Sequence, residues 1–344
     1  MSSGGGGSLR SYLLVRIALV IPMVLILLTL VFVLMRVAPG DPVQAALGSK
    51  VPPEEIAAKR HAAGYDRPLI VQYGDYIGQV ATGNLGTSVT DHRKVSDIVR
   101  NEGAATLQLT VAALFVAVVV GLGIGLLAGR LRDSWFDVSS RLFGIVVYAA
   151  PVFLTGLLAQ LIFGKYLGLL PTSGMDSPET DAFLAHHTNM PVVDAVIGGD
   201  PAALADTMRH LVLPALTLGL LIAGIFIRLV RINVIQSLQN HYIEAARARG
   251  IREPRVVFRH AFRNALVPVI TVMGLQAALL LSGAVLTEET FNWPGIGHAL
   301  IHYLQERDYT AVQGIITIFA LAVVAVSLII DFVNVWIDPR VRYS

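Results

Sequence analysis

Six apolar runs, each close to 20 residues or longer, recur along the chain at about 12–37, 105–129, 142–163, 211–230, 265–286 and 310–336. A helix rises about 1.5 Å per residue, so each run is long enough to cross the roughly 30 Å hydrocarbon layer of a bilayer. Composition agrees: 54% of the 344 residues are hydrophobic and 15% are charged, against a charged fraction of about 25% in soluble domains. The chain therefore reads as an all-α, polytopic membrane protein with six transmembrane helices. It has no cysteine, which removes disulfides, thiolate metal sites and a cysteine nucleophile from consideration.

In chain order, residues 1–11 form a flexible terminus that opens with a Ser/Gly-rich stretch. The first span, 12–37, is too long for a signal-peptide core and has no small-residue cleavage site. Pro22 lies where a kink is tolerable. Residues 38–104 are the longest polar region. A turn at Pro39-Gly40-Asp41-Pro42 is followed by a helix start at Pro52-Pro53-Glu54-Glu55, leading to His61. A second turn at Tyr65-Asp66-Arg67-Pro68 leads to a helix with Ile70, Tyr73, Ile77 and Val80 on one side, broken at 83–88. The region is expected to be a small external cap of amphipathic helices. Residues 105–337 are the five-helix core. In the second span, Gly121 and Gly125 fall four apart on one face, a spacing suited to close helix contact. The third span is expected to be bent by Pro151. A strongly acidic segment, 168–210, follows it, and 338–344 form a polar tail.

Six spans put both termini on one side. Fifteen of the 26 basic residues fall on the side of the termini and the 233–263 loop. Once the end of the first span and the long 38–104 region are discounted, only Lys165, Arg209 and Arg307 oppose them. The positive-inside rule makes the termini cytoplasmic. By the same division, 18 of the 24 acidic residues lie outside.

The loop at 233–263 carries Arg247, Arg249, Arg252, Arg255, Arg259 and Arg263 between two apolar runs. Ile235, Leu238, Tyr242, Ile243 and Ala246 recur at helical spacing, Gly250 interrupts, and Pro254 restarts the pattern before Val256, Val257 and Phe258. This predicts two short helices joined at Gly250, held against the membrane and offering a surface to something outside it. Tyr242-Ile243-Glu244-Ala245-Ala246-Arg247-Ala248-Arg249-Gly250 resembles the EAA motif of membrane subunits of ATP-binding-cassette importers. In that family the motif forms a coupling helix that docks into a groove on a separate ATPase subunit. The residue types suit this: small alanines let a helix enter a narrow groove, Glu244 offers a charge to read, and Gly250 permits the turn.

The resemblance extends over most of the chain and is specific to the dipeptide/oligopeptide branch. It rests also on Pro39-Gly40-Asp41-Pro42, on Arg263-Asn264-Ala265-Leu266-Val267-Pro268, and on the run from Leu286 through Glu288, Glu289, Asn292, Trp293, Pro294 and Gly295 to Gly297. Arg307-Asp308-Tyr309 and Asp338-Pro339-Arg340 complete it. Val267 between Leu266 and Pro268 departs from the general motif. The resemblance implies a type I importer fold in the bacterial cytoplasmic membrane, surrounded by lipid. Its expected partners are a homologous second permease subunit, two ATPase subunits and an extracytoplasmic substrate-binding protein, with no nucleic acid. ATP and Mg would act on the partner ATPases, because this sequence holds no G-x-x-x-x-G-K-[ST] loop; Gly164-Lys165 is followed by Tyr166. Related machinery moves nickel chelates, glutathione or oligosaccharides, so cargo stays open. An ion-coupled secondary transporter is disfavoured by scarce intramembrane charge and no evident repeats.

Other candidates are fewer. Asn264, Thr271 and Ser282, separated by 7 and 11, share one face of an ideal helix and either line a polar pathway or bond between helices. Asp331 is the one acid well inside a span and is read as functional or paired with Arg228 or Arg231. His298 and His302 are four apart, but position 299 is Ala rather than the Glu of a metalloprotease helix. His186-His187 is expected to be a solvated loop. No catalytic set and no metal site is expected.

Overall fold

The computed structural model describes residues 9–37, 52–62 and 66–337. These are almost wholly helical; the only strand-like feature among them is an isolated bridge between Thr87 and Lys94. The Pro39–Pro42 turn and the 338–344 tail lie outside the described residues.

Two long helices form the centre. Helix α4 spans Val95–Arg130 and α9 spans Pro201–Leu238, after α1 (Leu9–Val37), α2 (Pro53–Ala62), α3 (Leu69–Ala81), α5 (Trp135–Ala149), α6 (Val152–Ala159), α7 (Pro178–Phe183) and α8 (Pro191–Gly198). At 36 and 38 residues, α4 and α9 overrun the hydrocarbon layer, since about 20 residues suffice. Polar extensions at their ends keep helical hydrogen bonding outside lipid. Asp200 caps α9 by accepting from the Ala202 and Ala203 N–H groups. Of the apolar window of α9, 72% is buried, against 17% for α1, so α9 is the hub.

Small residues decide how closely the pair packs. On α4, Ala105, Leu109, Ala113, Ala117, Gly121, Gly125 and Gly129 recur every four residues and are buried. They face Leu211, Ala215, Leu218, Ile222, Phe226, Val230 and Val234 of α9. A Cβ at Gly121 would lie 2.3 Å from the Phe226 Cβ, and one at Gly125 2.8 Å from the Val230 Cβ. The glycine spacing seen in the sequence is therefore a contact with α9, of the kind that lets membrane helices approach backbone to backbone.

The third span differs from expectation. Helix α5 and the stretch Val152–Tyr166, which begins as α6 and continues as a π-helical turn from Gln160, meet at 103°. Pro151 sits at the corner and lacks the N–H that would continue the ladder. The bend expected at Pro151 is present but much sharper than a kink, so the run is either one broken span or a re-entrant element.

The rest of the described chain comprises α10 (His241–Ala248), a helical stretch from Glu253 through a π-helical turn at Val256–Ala261 into α11 (Phe262–Gly283), α12 (Val285–Phe291), α13 (Ile296–Gln305) and α14 (Tyr309–Ile337). Four helices are individually long and apolar enough to cross a membrane, and six spans result if each of two broken pairs counts as one. Helix α3 packs on α1 and α14. Its buried face is Gln72, Tyr73, Tyr76, Ile77 and Val80, with Phe32 against both tyrosine rings and the Tyr76 hydroxyl 2.7 Å from Thr317 Oγ1. Ile70, placed on that face from the sequence, is instead 76% exposed. It lies a turn before the contact with α1, where nothing covers it.

Candidate functional site: the α10 loop and its supports

Helix α10 is amphipathic on a small scale. Ile243 and Ala246 point inward and pack with Val256 and Ala261, flanked by Leu238 and Ile251. Tyr242, Glu244, Ala245, Arg247 and Arg249 stay exposed. Of the two adjacent alanines, then, only Ala245 faces outward, and Ala246 belongs to the loop's own core. The helix ends as the sequence requires. The Ile251 N–H donates to the Ala246 carbonyl at 3.2 Å and the Gly250 N–H to the Arg247 carbonyl at 2.9 Å, the two bonds of a Schellman ending. Gly250 holds φ +74°, a left-handed conformation that glycine adopts without a Cβ penalty. Arg247 crosses the turn and donates to both oxygens of Glu253, Nη2 to Oε1 at 2.6 Å and Nε to Oε2 at 3.0 Å. Glu244 lies 3.3 Å from His241 Nδ1, with most of its side chain in solvent.

The second short helix expected after Gly250 is not separate. It runs on into α11, because Pro254 occupies the first turn of a helix, where its missing N–H costs nothing. Ile243 and Ala246 thus rest directly on residues that begin α11. A 45° break between the Glu253–Leu266 and Pro268–Gln276 stretches separates Asn264 from Thr271 and Ser282, so one straight helical wheel does not span the three. Asn264 is exposed. The Thr271, Ser282 and Asp331 side chains lie outside the described residues.

At the same end of the core, Arg231 is occupied. It donates through Nε and Nη2 to the fully buried Asp137, the latter bond 2.8 Å long. The expected pairing of Asp331 with Arg228 or Arg231 falls on a side chain outside the described residues. Asp137, near the start of α5, was missed because nothing in its local pattern signals burial.

At the opposite end, the Glu288–Gly297 run is a clasp. The Glu288 carboxylate is buried, accepts from the Thr106 hydroxyl at 2.7 Å, and accepts from the Gly297 and His298 N–H groups at 2.8 and 3.0 Å. Burial pushes its pKa up. A Cβ at Gly295 would lie 2.3 Å from the Glu288 carboxyl carbon. The Trp293 Nε1–H donates to the Ala105 carbonyl at 2.9 Å. Asp308 forms a second clasp. It caps α14 through the Ala311 N–H at 3.0 Å and accepts from Ser88 Oγ at 2.8 Å and from the Val89 N–H at 2.7 Å. The quoted Glu288–Gly297 and Arg307-Asp308-Tyr309 signatures are thus ties that hold the segments outside the spans onto α4 and α14. His298 pairs with Glu289 at 2.9 Å and His302 with Glu306 at 3.4 Å. No group of three or more metal-ligating side chains occurs among the described residues.

The model of the family described as "Binding-protein-dependent transport system inner membrane component" matches residues 121–343, and its N-terminal companion matches residues 9–110. The dipeptide transport system permease protein DppB of Alkalihalophilus pseudofirmus is 35% identical over 333 residues, 97% of this chain and 99% of the relative. The di/tripeptide transport system permease protein DppB of Pseudomonas aeruginosa is 38% identical over 335 residues, again 97% and 99%. The glutathione transport system permease protein GsiC of Salmonella typhimurium is 34% identical over 334 residues with the same coverage. The two family matches together take in α1 to α14 with the α10 loop between α9 and α11, and the chain is a member of the binding-protein-dependent transport system inner-membrane component family.

Proposed function

We propose that this chain is the membrane-spanning permease subunit of an ATP-binding-cassette importer that moves dipeptides and short oligopeptides inward across a bacterial cytoplasmic membrane. ATP hydrolysis takes place on two separate ATPase subunits, which also hold the Mg. A homologous membrane subunit completes the pathway, and an extracytoplasmic binding protein delivers the peptide to the external segments. Both termini and the α10 loop face the cytoplasm.

The observation that carries this reading is the build of the α10 loop. Its outer face presents Tyr242, Glu244, Ala245, Arg247 and Arg249, while its inner face is locked by Ile243 and Ala246 onto Val256 and Ala261. A displacement of α10 by a docked ATPase therefore reaches the base of α11 through direct side-chain contact. The energy must appear as differential stability of inward- and outward-facing states, since a ligand shifts an equilibrium only by its differential affinity. Peptide cargo rests on the printed names of the relatives. Glutathione is a second reading, because a glutathione permease is nearly as similar over the same length. The test is uptake into cells carrying only this permease system, with labelled dialanine as cargo and glutathione as competitor. Uptake of dialanine supports the peptide reading. Exclusive uptake of glutathione replaces it with the second.

A further inference from the structure

A groove of about 700 Å³ opens between α5 and α9, toward the end that carries α10. It is closed at one end by the contact of Gly144 with Gly224, where a Cβ on Gly224 would lie 2.5 Å from the Gly144 carbonyl oxygen. It is closed at the other by the Asp137–Arg231 ion pair. The walls are mainly apolar, with Ile145, Tyr148, Leu229 and Ile232 among them, and Ile145 is 64% exposed. Besides Arg231, two arginines stand on the lining, Arg141 and Arg228. Arg228 is exposed and has no ion pair among the described residues. Arg141 is half-exposed, and its Nε lies 3.9 Å from the Asp137 Oδ1 that already accepts from Arg231 Nε.

We propose that this groove binds an anionic phospholipid, its acyl chain along Ile145, Leu229 and Ile232 and its phosphate between Arg141 and Arg228. The charge pattern selects this occupant. A zwitterionic lipid brings its phosphate together with a neutralising ammonium, and so leaves the two guanidinium groups without a net counter-charge. A helix of another subunit would have to bury them, and buried unpaired charge is strongly unfavourable. A phosphate diester offers acceptors for both forks and remains at the interface, where long basic side chains extend naturally. Basic pockets between membrane helices are known to take such headgroups. With the orientation proposed above, this lipid belongs to the cytoplasmic leaflet.

The test uses the complete transporter, extracted in mild detergent with its partner subunits and exchanged into nanodiscs of phosphatidylcholine containing phosphatidylglycerol. Lipid retained on the assembly is read by native mass spectrometry. Each arginine near the surface is worth roughly 5-fold in affinity, so Arg141→Gln/Arg228→Gln weakens phosphatidylglycerol retention by about 30-fold. Ile145→Trp, which fills the groove and keeps both charges, also releases the lipid. Equal retention of phosphatidylcholine and phosphatidylglycerol by the wild type would overturn the proposal, as would undiminished retention in both variants. A cross-link from Ile145→Cys to the second membrane subunit, without retained lipid, would assign the groove to that subunit instead. Retention is read without transport, so a change of cargo leaves this result unaffected.

Discussion

Gly250 offers a graded perturbation of the α10 loop. A Cβ built there meets nothing within 4 Å, so substitution is felt by the backbone alone. At φ +74° a residue with a Cβ costs about 1–2 kcal/mol, whereas asparagine visits this region more readily. Gly250→Ala should lower the population of the closed turn by roughly 5- to 30-fold relative to its alternatives, and Gly250→Asn by less. Proline is worse in kind. It fixes φ near about −65°, which excludes the left-handed turn altogether, and it removes the N–H that donates to the Arg247 carbonyl at 2.9 Å. The loop core is four small or medium side chains that meet α9 only at its last residue, Leu238, so the contact between α4 and α9 is expected to survive all three changes. The assay is the number of peptides imported per ATP hydrolysed by the reconstituted complex, beside a thermal-stability measurement. Coupling should fall in the order Gly, Asn, Ala, Pro at nearly constant stability. Wild-type coupling in Gly250→Pro would refute the role assigned to the loop, and a parallel collapse of stability would refute its mechanical independence.

Four further outcomes follow from the packing. Gly125→Ile drives a branched side chain into Val230 and the Ile227 carbonyl, 2.9 Å from the new Cβ, and should destabilise the chain by about 1–3 kcal/mol, seen as a lower melting temperature in detergent. Arg231→Gln leaves the buried Asp137 with Arg141, 3.9 Å away, as its remaining counter-charge, at a cost of up to about 3–5 kcal/mol; adding Asp137→Asn should recover part of it, and a failure to recover would argue against the pair. Glu288→Ala strips the Thr106 hydroxyl and the Gly297 and His298 N–H groups of their acceptor, about 1–3 kcal/mol of lost protection, read as faster hydrogen exchange at 296–300. Burial pushes the Asp91 carboxyl up, but hydrogen bonds with Ser88 and Tyr303 outweigh it and its pKa lies below the ordinary value. Its contribution is therefore present above the ordinary carboxylate pKa and is lost as pH falls through the lower folded value. Exchange at 86–94 should accelerate on acidification in the wild type and less so in Asp91→Asn.

The spans were legible because lipid imposes one simple requirement, an uninterrupted apolar helix of sufficient length. The same signal marks only the part of a helix that lies in lipid, which is why α4 and α9 extend beyond their apolar runs to Val95 and Leu238. Gly121 and Gly125 could be read because four-residue spacing of small side chains has one structural use in a membrane helix. The turn at Gly250 was legible from local chemistry. What could not be read depends on partners distant in sequence. Asp137 meets Arg231 across 94 residues and Glu288 meets Thr106 across 182. Ile70 looked like part of a helical stripe, yet the stripe is set by where Phe32 lies against α3. Pro151 signalled a bend, but its size is fixed by how α5 and α6 pack, α5 through Gly144 against Gly224 and α6 through Gly156 against Thr290 and Phe291.

The most direct test of the importer account is purification of this chain with its neighbours in mild detergent, followed by ATPase assay with and without a dipeptide-loaded binding protein. The account predicts a complex containing a second membrane subunit and two ATPase subunits, with hydrolysis stimulated by the loaded binding protein. A chain that purifies alone and moves peptide into liposomes on an ion gradient, without ATP, would contradict it.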